Sequence, residues 1–265
     1  MTDFATSADG TRIAYDRLGG GPAVVLIGGM FCARPATREL AGRLAERFTV
    51  LNYDRRGRGE SDDTPPYAVR REIEDLAALI TEAGGSAAVY GHSSGAGLAL
   101  EAAAAGWPIT RLVLHEPPYG SDDEDERRTA RELAENVQAA LKDDRRADAI
   151  KLFLAASGMP PEMAEGMAAD PDMQAVAPTM PYDFEVMGDT ARGGAIPEDL
   201  ARAITVPTLL IAGSASPPFF RDAATRLTAL LPNGEYTLLE GQDHAAPADQ
   251  VAPVITSFLA ADPRD

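Results

Sequence analysis

The sequence predicts an α/β fold: a mostly parallel, eight-stranded sheet with helices on both faces and a helical cap inserted after the sixth strand. Three observations carry this expectation. Short apolar runs alternate with helix-period segments toward both ends of the chain, the pattern of units whose strands pair in parallel. That alternation stops at Pro117 and resumes after Val206. A strand, a turn and a helix also surround Gly91-His92-Ser93-Ser94-Gly95, whose G-x-S-x-G pattern carries chemistry only in that context.

In order along the chain, residues 4–7, 13–18 and 23–27 read as three short strands, with Asp9-Gly10 and Gly19-Gly20-Gly21-Pro22 as the turns between them. Residues 35–47 read as a helix with Leu40, Leu44 and Phe48 at helical spacing, followed by a strand over 49–53. Pro65-Pro66 breaks the chain. The amphipathic helix expected over 69–83 aligns Ile73, Leu76, Leu79 and Ile80 on one face. Ala87-Ala88-Val89-Tyr90 is the strand entering the G-x-S-x-G turn, a helix runs on from Ala96, and residues 111–115 form the next strand. Nearly eighty residues then lack strand patterning. Within them, residues 121–149 read as one solvated helix, because Leu133, Val137 and Leu141 recur every four positions in a charged background. Strands over 207–212 and 235–239 alternate with helices over 219–231 and 251–260. The expected division is a core of residues 1–116 and 196–265 and a helical cap of residues 117–195.

The chain has 265 residues, 45% of them hydrophobic, and a formal net charge of −17. That supports a real core and, with no basic run, argues against nucleic-acid binding, which needs clustered Lys and Arg. Cys32 is the only cysteine, so no intrachain disulfide forms, as suits a reducing compartment. Met1 to Arg12 shows no apolar signal-peptide core, and the longest apolar runs are too short to span a bilayer. The expectation is a cytoplasmic protein, monomeric or homodimeric, with a small-molecule substrate, no membrane partner and no cofactor. Scattered histidines and a lone cysteine give no metal-ligand spacing, so no metal site is expected.

The tight turn lifts Ser93 above the sheet edge as the candidate nucleophile, and Ser94 contributes its backbone N–H. Serine needs a base, and the base needs a group to orient it. Of three histidines, His92 adjoins the nucleophile and His115 ends a strand beside Glu116, while His244 follows the last strand. The order serine, acid, histidine leaves His244 as the base; the bland alternative is a surface-loop histidine.

Four segments, Val24-Val25-Leu26-Ile27-Gly28-Gly29-Met30, Tyr53-Asp54-Arg55-Arg56-Gly57-Arg58-Gly59-Glu60-Ser61, Gly91-His92-Ser93-Ser94-Gly95 and Gly241-Gln242-Asp243-His244, occur in the order and at the separations of the alpha/beta-hydrolase fold family, which the chain resembles over nearly its whole length. The resemblance implies that the Met30 backbone N–H completes an oxyanion hole with that of Ser94, although Gly28-Gly29 replaces the common His-Gly. It also implies that the arginine loop at 55–58 ties down carboxylates. The family's usual acid position, after the seventh strand, holds Ser216 in Gly213-Ser214-Ala215-Ser216-Pro217. Glu116, at the end of strand six, is the expected replacement, since some members supply the acid there; Asp222 and the absence of an acid are the alternatives. Six methionines fall within the cap, and methionine suits adaptable apolar surfaces. Met159, Met163, Tyr182 and Met187, with Phe184 beside them, are therefore expected to line the substrate pocket. The function implied is cleavage of an ester, thioester or lactone through an acyl-Ser93 intermediate. A cyclase, lyase or rearrangement enzyme on the same scaffold, and a non-catalytic binding protein, are the rival readings.

Overall fold

The protein is described by a computed structural model covering residues 2–261. Eight strands form one sheet: β1 (Thr2–Thr6), β2 (Arg12–Gly19), β3 (Ala23–Ile27), β4 (Thr49–Tyr53), β5 (Ala87–His92), β6 (Ile109–His115), β7 (Thr208–Gly213) and β8 (Gly234–Leu239). Their spatial order is β1-β2-β4-β3-β5-β6-β7-β8. β2 runs antiparallel to β1 and β4, and every other pair is parallel.

Period-two alternation sorts the strand side chains onto two faces. Val25, Ile27 and Val89 join one buried cluster, with Leu76, Leu79 and Ile80 of α2 (Val69–Glu82) and Leu98 and Leu100 of α3 (Ser94–Ala104). Val24, Leu26 and Tyr90 join the other, with Leu40 and Leu44 of α1 (Arg34–Leu44). The helix of α2 buries more than its apolar stripe predicts, because Glu72 and Asp75 share its inward face. Both are paired with arginines of the 55–58 loop, which is what allows carboxylates there.

Between β6 and β7 the described residues form helices: α4 (Glu124–Lys142), α5 (Arg146–Ala156), α6 (Pro161–Ala168), α7 (Pro171–Val176), α8 (Met180–Met187), α9 (Asp189–Arg192) and α10 (Glu198–Ala203), with a short 3-10 turn before α8. The single helix expected over 121–149 is two. α4 starts where the Asp123 side chain accepts from the Asp125 and Glu126 amides. It stops at Asp143, and Asp144 turns the chain in the left-handed region at φ 55, a conformation aspartate tolerates. The inner residues of these helices, among them Ala134, Val137, Ile150, Met180 and Phe184, make a third apolar cluster. The insertion is not fully separate from the rest, since Val186 and Met187 belong to the main core. α11 (Pro218–Leu230) follows β7, and α12 (Ala248–Ala260) packs beside α1 on the second face. No helix among the described residues is long and apolar enough to cross a membrane.

Candidate active site

The strand order reverses between β3 and β5: β4 lies to one side of β3 and β5 to the other. Chains leaving adjacent strands in opposite directions open a crevice at the strands' carboxyl ends, where α/β sheets place their ligands. Two segments meet there, the turn after β3 at Gly28 to Phe31 and the turn after β5 at Ser93.

Ser93 has φ 56 and ψ −127, a strained conformation for a residue with a side chain. Its amide donates to the His115 carbonyl at 2.9 Å, and its carbonyl accepts from Ala96 at 2.9 Å, so backbone bonds on both sides hold the strain. Gly95 allows α3 to start so close to the sheet: a Cβ there would lie 2.5 Å from the Ile27 carbonyl oxygen. Gly29 brings the other turn onto the serine, since a Cβ there would lie 2.8 Å from Ser93 Cβ. At Gly28 a Cβ would meet that of Cys32 at 2.8 Å, so the cysteine takes the space next to this position. Burial pushes the Cys32 thiol up and keeps it a poor nucleophile. Among the described residues neither the Ser93 hydroxyl nor the Met30 amide has a hydrogen-bond partner. The Ser94 amide is one of the first-turn donors that a helix cannot satisfy internally.

β6 delivers Glu116 one position beyond its end, at φ 49. Its carboxylate is fully buried, and the two oxygens are divided. Oε1 accepts from the Gly213 amide at 2.7 Å and Oε2 lies 2.6 Å from His244 Nδ1. Burial opposes ionisation of Glu116, but these two bonds outweigh it and hold the carboxyl below its ordinary range. An ionised acceptor on Nδ1 assigns the proton to Nδ1 and leaves Nε2 free. The His244 side chain is 37% exposed, and its ring stacks on Phe220 with centroids 4.5 Å apart. His92 places Nε2 3.0 Å from the His244 carbonyl oxygen, so it donates there and holds the histidine's loop. Burial, then the neighbouring His244, pushes the His92 pKa down to about 3, which keeps it neutral. Ser216 is buried close to the carboxylate without completing a hydrogen bond, and Asp222 is exposed on α11.

The three arginines of the 55–58 loop are all neutralised. Arg55 forks onto Glu72 at 2.7 Å twice and reaches Asp183 at 2.5 Å. Arg56 forks onto Asp75 and touches Asp9. Arg58 bonds Asp183 at 2.5 Å, Thr179 at 2.9 Å and the Gly29 carbonyl at 2.7 Å. Burial disfavours a charged Asp183, yet Arg55 and Arg58 hold its carboxyl below the usual range. The Ser94 hydroxyl donates to the same carboxylate at 2.7 Å. The sequence marked Ser94 for its amide alone, and Asp183 carried no signal, because its partners lie 89 and 125 positions away.

The four expected pocket residues do not converge. Met163 points to solvent at 58% exposure on the outer side of α6. Met187 is buried in the main core, where its sulfur fills the space above Gly97. Tyr182 stacks on Tyr67 at 3.8 Å and donates to Asp63. Met159 alone of the four packs, half-buried, on the apolar cluster that also receives Met30 and Phe31. Phe184 is buried within that cluster. Phe31, in the left-handed region at φ 62, turns its ring onto Phe153 at 5.8 Å. Phe31 brings Phe153 beside the Met30 turn, while Met159, Met167 and Met173 pack on the same apolar cluster; helical spacing alone did not separate these methionines from Met163 and Met187.

Comparison with known proteins agrees with this architecture. The sequence model of the alpha/beta hydrolase family matches residues 20–255. A 2-(acetamidomethylene)succinate hydrolase of Mesorhizobium japonicum is 30% identical over 253 residues, covering 90% of this chain and 86% of its own. An N-formylmaleamate deformylase of Pseudomonas putida is 38% identical over 117 residues, 42% of this chain and 44% of its own. Among solved structures, an alpha/beta hydrolase from Sphaerobacter thermophilus shares 47% identity with a TM-score of 0.87, covering 97% of this chain and 100% of that one.

Proposed function

The chain belongs to the alpha/beta hydrolase family and is a hydrolase; from that premise we propose that it cleaves an ester, thioester or lactone of a small to medium apolar substrate through an acyl-Ser93 intermediate. One observation carries the reading: a strained, backbone-held Ser93 shares a crevice end with a His244 whose Nδ1 is 2.6 Å from a buried carboxylate. In the first step His244 Nε2 takes the Ser93 proton as Oγ attacks the acyl carbon, and Glu116 stabilises the imidazolium that forms. The Met30 and Ser94 amides bind the developing oxyanion, each such donor being worth about 3 kcal/mol of barrier. The imidazolium protonates the leaving group; the now neutral His244 then takes a proton from a water that attacks the acyl-serine, and returns it to Ser93 Oγ as the carboxylic acid departs.

The helical insertion acts here as a cap over Ser93. An apolar acyl or alcohol part suits the Phe31–Phe153 pair beside the Met30 turn and the apolar cluster it packs on. Since Arg55, Arg56 and Arg58 are each bound to carboxylates of the protein, none is free to hold an anionic substrate group. The names of the two relatives favour a second reading, cleavage of an N-acyl bond. The proposed setting is the cytoplasm, with the protein acting as a monomer or homodimer. The test is turnover of p-nitrophenyl esters of graded chain length beside matching anilides, in water enriched in oxygen-18. Ester products carrying one labelled oxygen, lost in Ser93→Ala, support the reading. Products without added water would overturn it in favour of a rearrangement.

A further inference from the structure

We propose that Arg58 and Asp183 position both oxyanion donors, the Met30 and Ser94 amides, and that this positioning depends on the helical insertion, because Asp183 is carried by α8. The inference rests on the serine-hydrolase reading above. The Gly29 carbonyl and the Met30 N–H belong to one peptide unit. In a planar trans peptide the two point in opposite directions, so fixing the oxygen fixes the aim of the N–H. Arg58 Nη1 donates to that oxygen at 2.7 Å, and the same peptide is pressed against the nucleophile through Gly29. A charge-assisted bond to the carbonyl also polarises the peptide in the sense that strengthens its N–H as a donor.

The second donor is tied to the same point. Ser94 Oγ donates to Asp183 Oδ1 at 2.7 Å, and Arg58 Nη2 donates to Oδ2 at 2.5 Å. One carboxylate, completely buried, thereby sets the distance between the start of α3 and the turn after β3. Every arm of the Arg58 fork is used, with Nε on Thr179, which precedes α8. A lysine carries the same charge but cannot hold three acceptors in one plane. The two cations, Arg55 and Arg58, are balanced by Glu72 and Asp183, so the arginine acts through placement of the peptide rather than as a free charge. These are positioning residues.

The experiment compares Arg58→Lys and Ser94→Ala with Arg56→Lys. Arg56 belongs to the same loop and is equally buried, but its partners are Asp75, Asp9 and the Arg71 carbonyl. Readouts are kcat and KM for a p-nitrophenyl ester, Ki for a trifluoromethyl ketone whose hemiketal oxygen needs the same two amides, and thermal midpoint. Arg58→Lys should lower kcat on the order of 10²-fold and weaken the ketone in parallel, with KM nearly unchanged, as for a misplaced donor. Ser94→Ala should lose about tenfold in both, and Arg56→Lys should lower the midpoint only. If Arg58→Lys does not fold, Ser94→Ala decides. Wild-type kcat and Ki in whichever variant folds, or equal losses of kcat in Arg56→Lys, would overturn the inference and leave the hydrolase reading standing. An unaltered enzyme that neither turns over esters nor binds the ketone would remove the hydrolase reading, and the inference with it.

Discussion

Replacing Glu116 by glutamine keeps the shape of the side chain and removes one buried charge from beside His244. The structure sets both the size and the mechanism of the effect. The carboxylate has no solvent contact and lies 2.6 Å from Nδ1. With charge centres roughly 4 Å apart and an effective dielectric near 20, the imidazolium loses about 4 kcal/mol of stabilisation, or about 10³-fold in rate. A second loss follows from Gly213. Its amide donates to Oε1, so the glutamine must turn its carbonyl there and its NH₂ toward Nδ1. Nδ1 then accepts, the ring proton moves to Nε2, and the histidine can no longer take the serine proton. The expected fall in kcat is therefore about 10³- to 10⁴-fold, with KM little changed and the fold retained. The assay is steady-state ester hydrolysis beside Asp222→Asn, which should retain near wild-type turnover because Asp222 is exposed on α11. A Glu116→Gln enzyme within tenfold of wild type would refute the reasoning, and a severe loss in Asp222→Asn would move the acid there.

Two further outcomes are expected. Gly29→Ala should cost on the order of 10²-fold in kcat/KM, because the added Cβ meets Ser93 Cβ at 2.8 Å and drives the Met30 turn off the serine; activity within threefold of wild type would show that the two turns are not in tight contact. Burial pushes the Asp189 carboxyl up to about 7, against the pull of Arg192. An acid raised on folding binds its proton more tightly in the folded state, so it costs nothing below its unfolded value of roughly 4, then about 1.4 kcal/mol per pH unit until pH passes its folded value. Asp189→Asn should thus match the wild-type thermal midpoint at pH 4 and exceed it progressively toward pH 7, and a gap that is constant with pH would contradict the burial argument.

Much of the fold is legible in the sequence because it rests on local patterns, short apolar runs for strands and helical periodicity for helices. The short continuous apolar runs of β3 and β5, and the Leu76, Leu79, Ile80 stripe of α2, each carry their own signal. The break between α4 and α5 is not legible from the same rule, since the Leu133, Val137, Leu141 stripe runs up to it and a single left-handed aspartate ends it. The elbow at Ser93 is local and readable. The contact between Glu116 and His244 spans 128 positions, and only strand order, reached through resemblance, points to it. Asp183 was invisible for the same reason without that help: a lone aspartate in a helix gives no hint of two arginines and a serine converging on it. Methionine content suggests an adaptable surface, but a short helix such as α6 does not reveal which side faces the molecule, and Met163 faces out.

The central claim is that Ser93 is the nucleophile, and covalent capture tests it most directly. A fluorophosphonate that reacts only with an activated serine, followed by intact-mass measurement and peptide mapping, should give one adduct per chain on Ser93. Labelling should vanish in Ser93→Ala and slow on the order of 10³-fold in Glu116→Gln, because the triad acts as a unit. No adduct on the wild-type protein, or an adduct that persists on Ser94 when Ser93 is absent, would contradict the account.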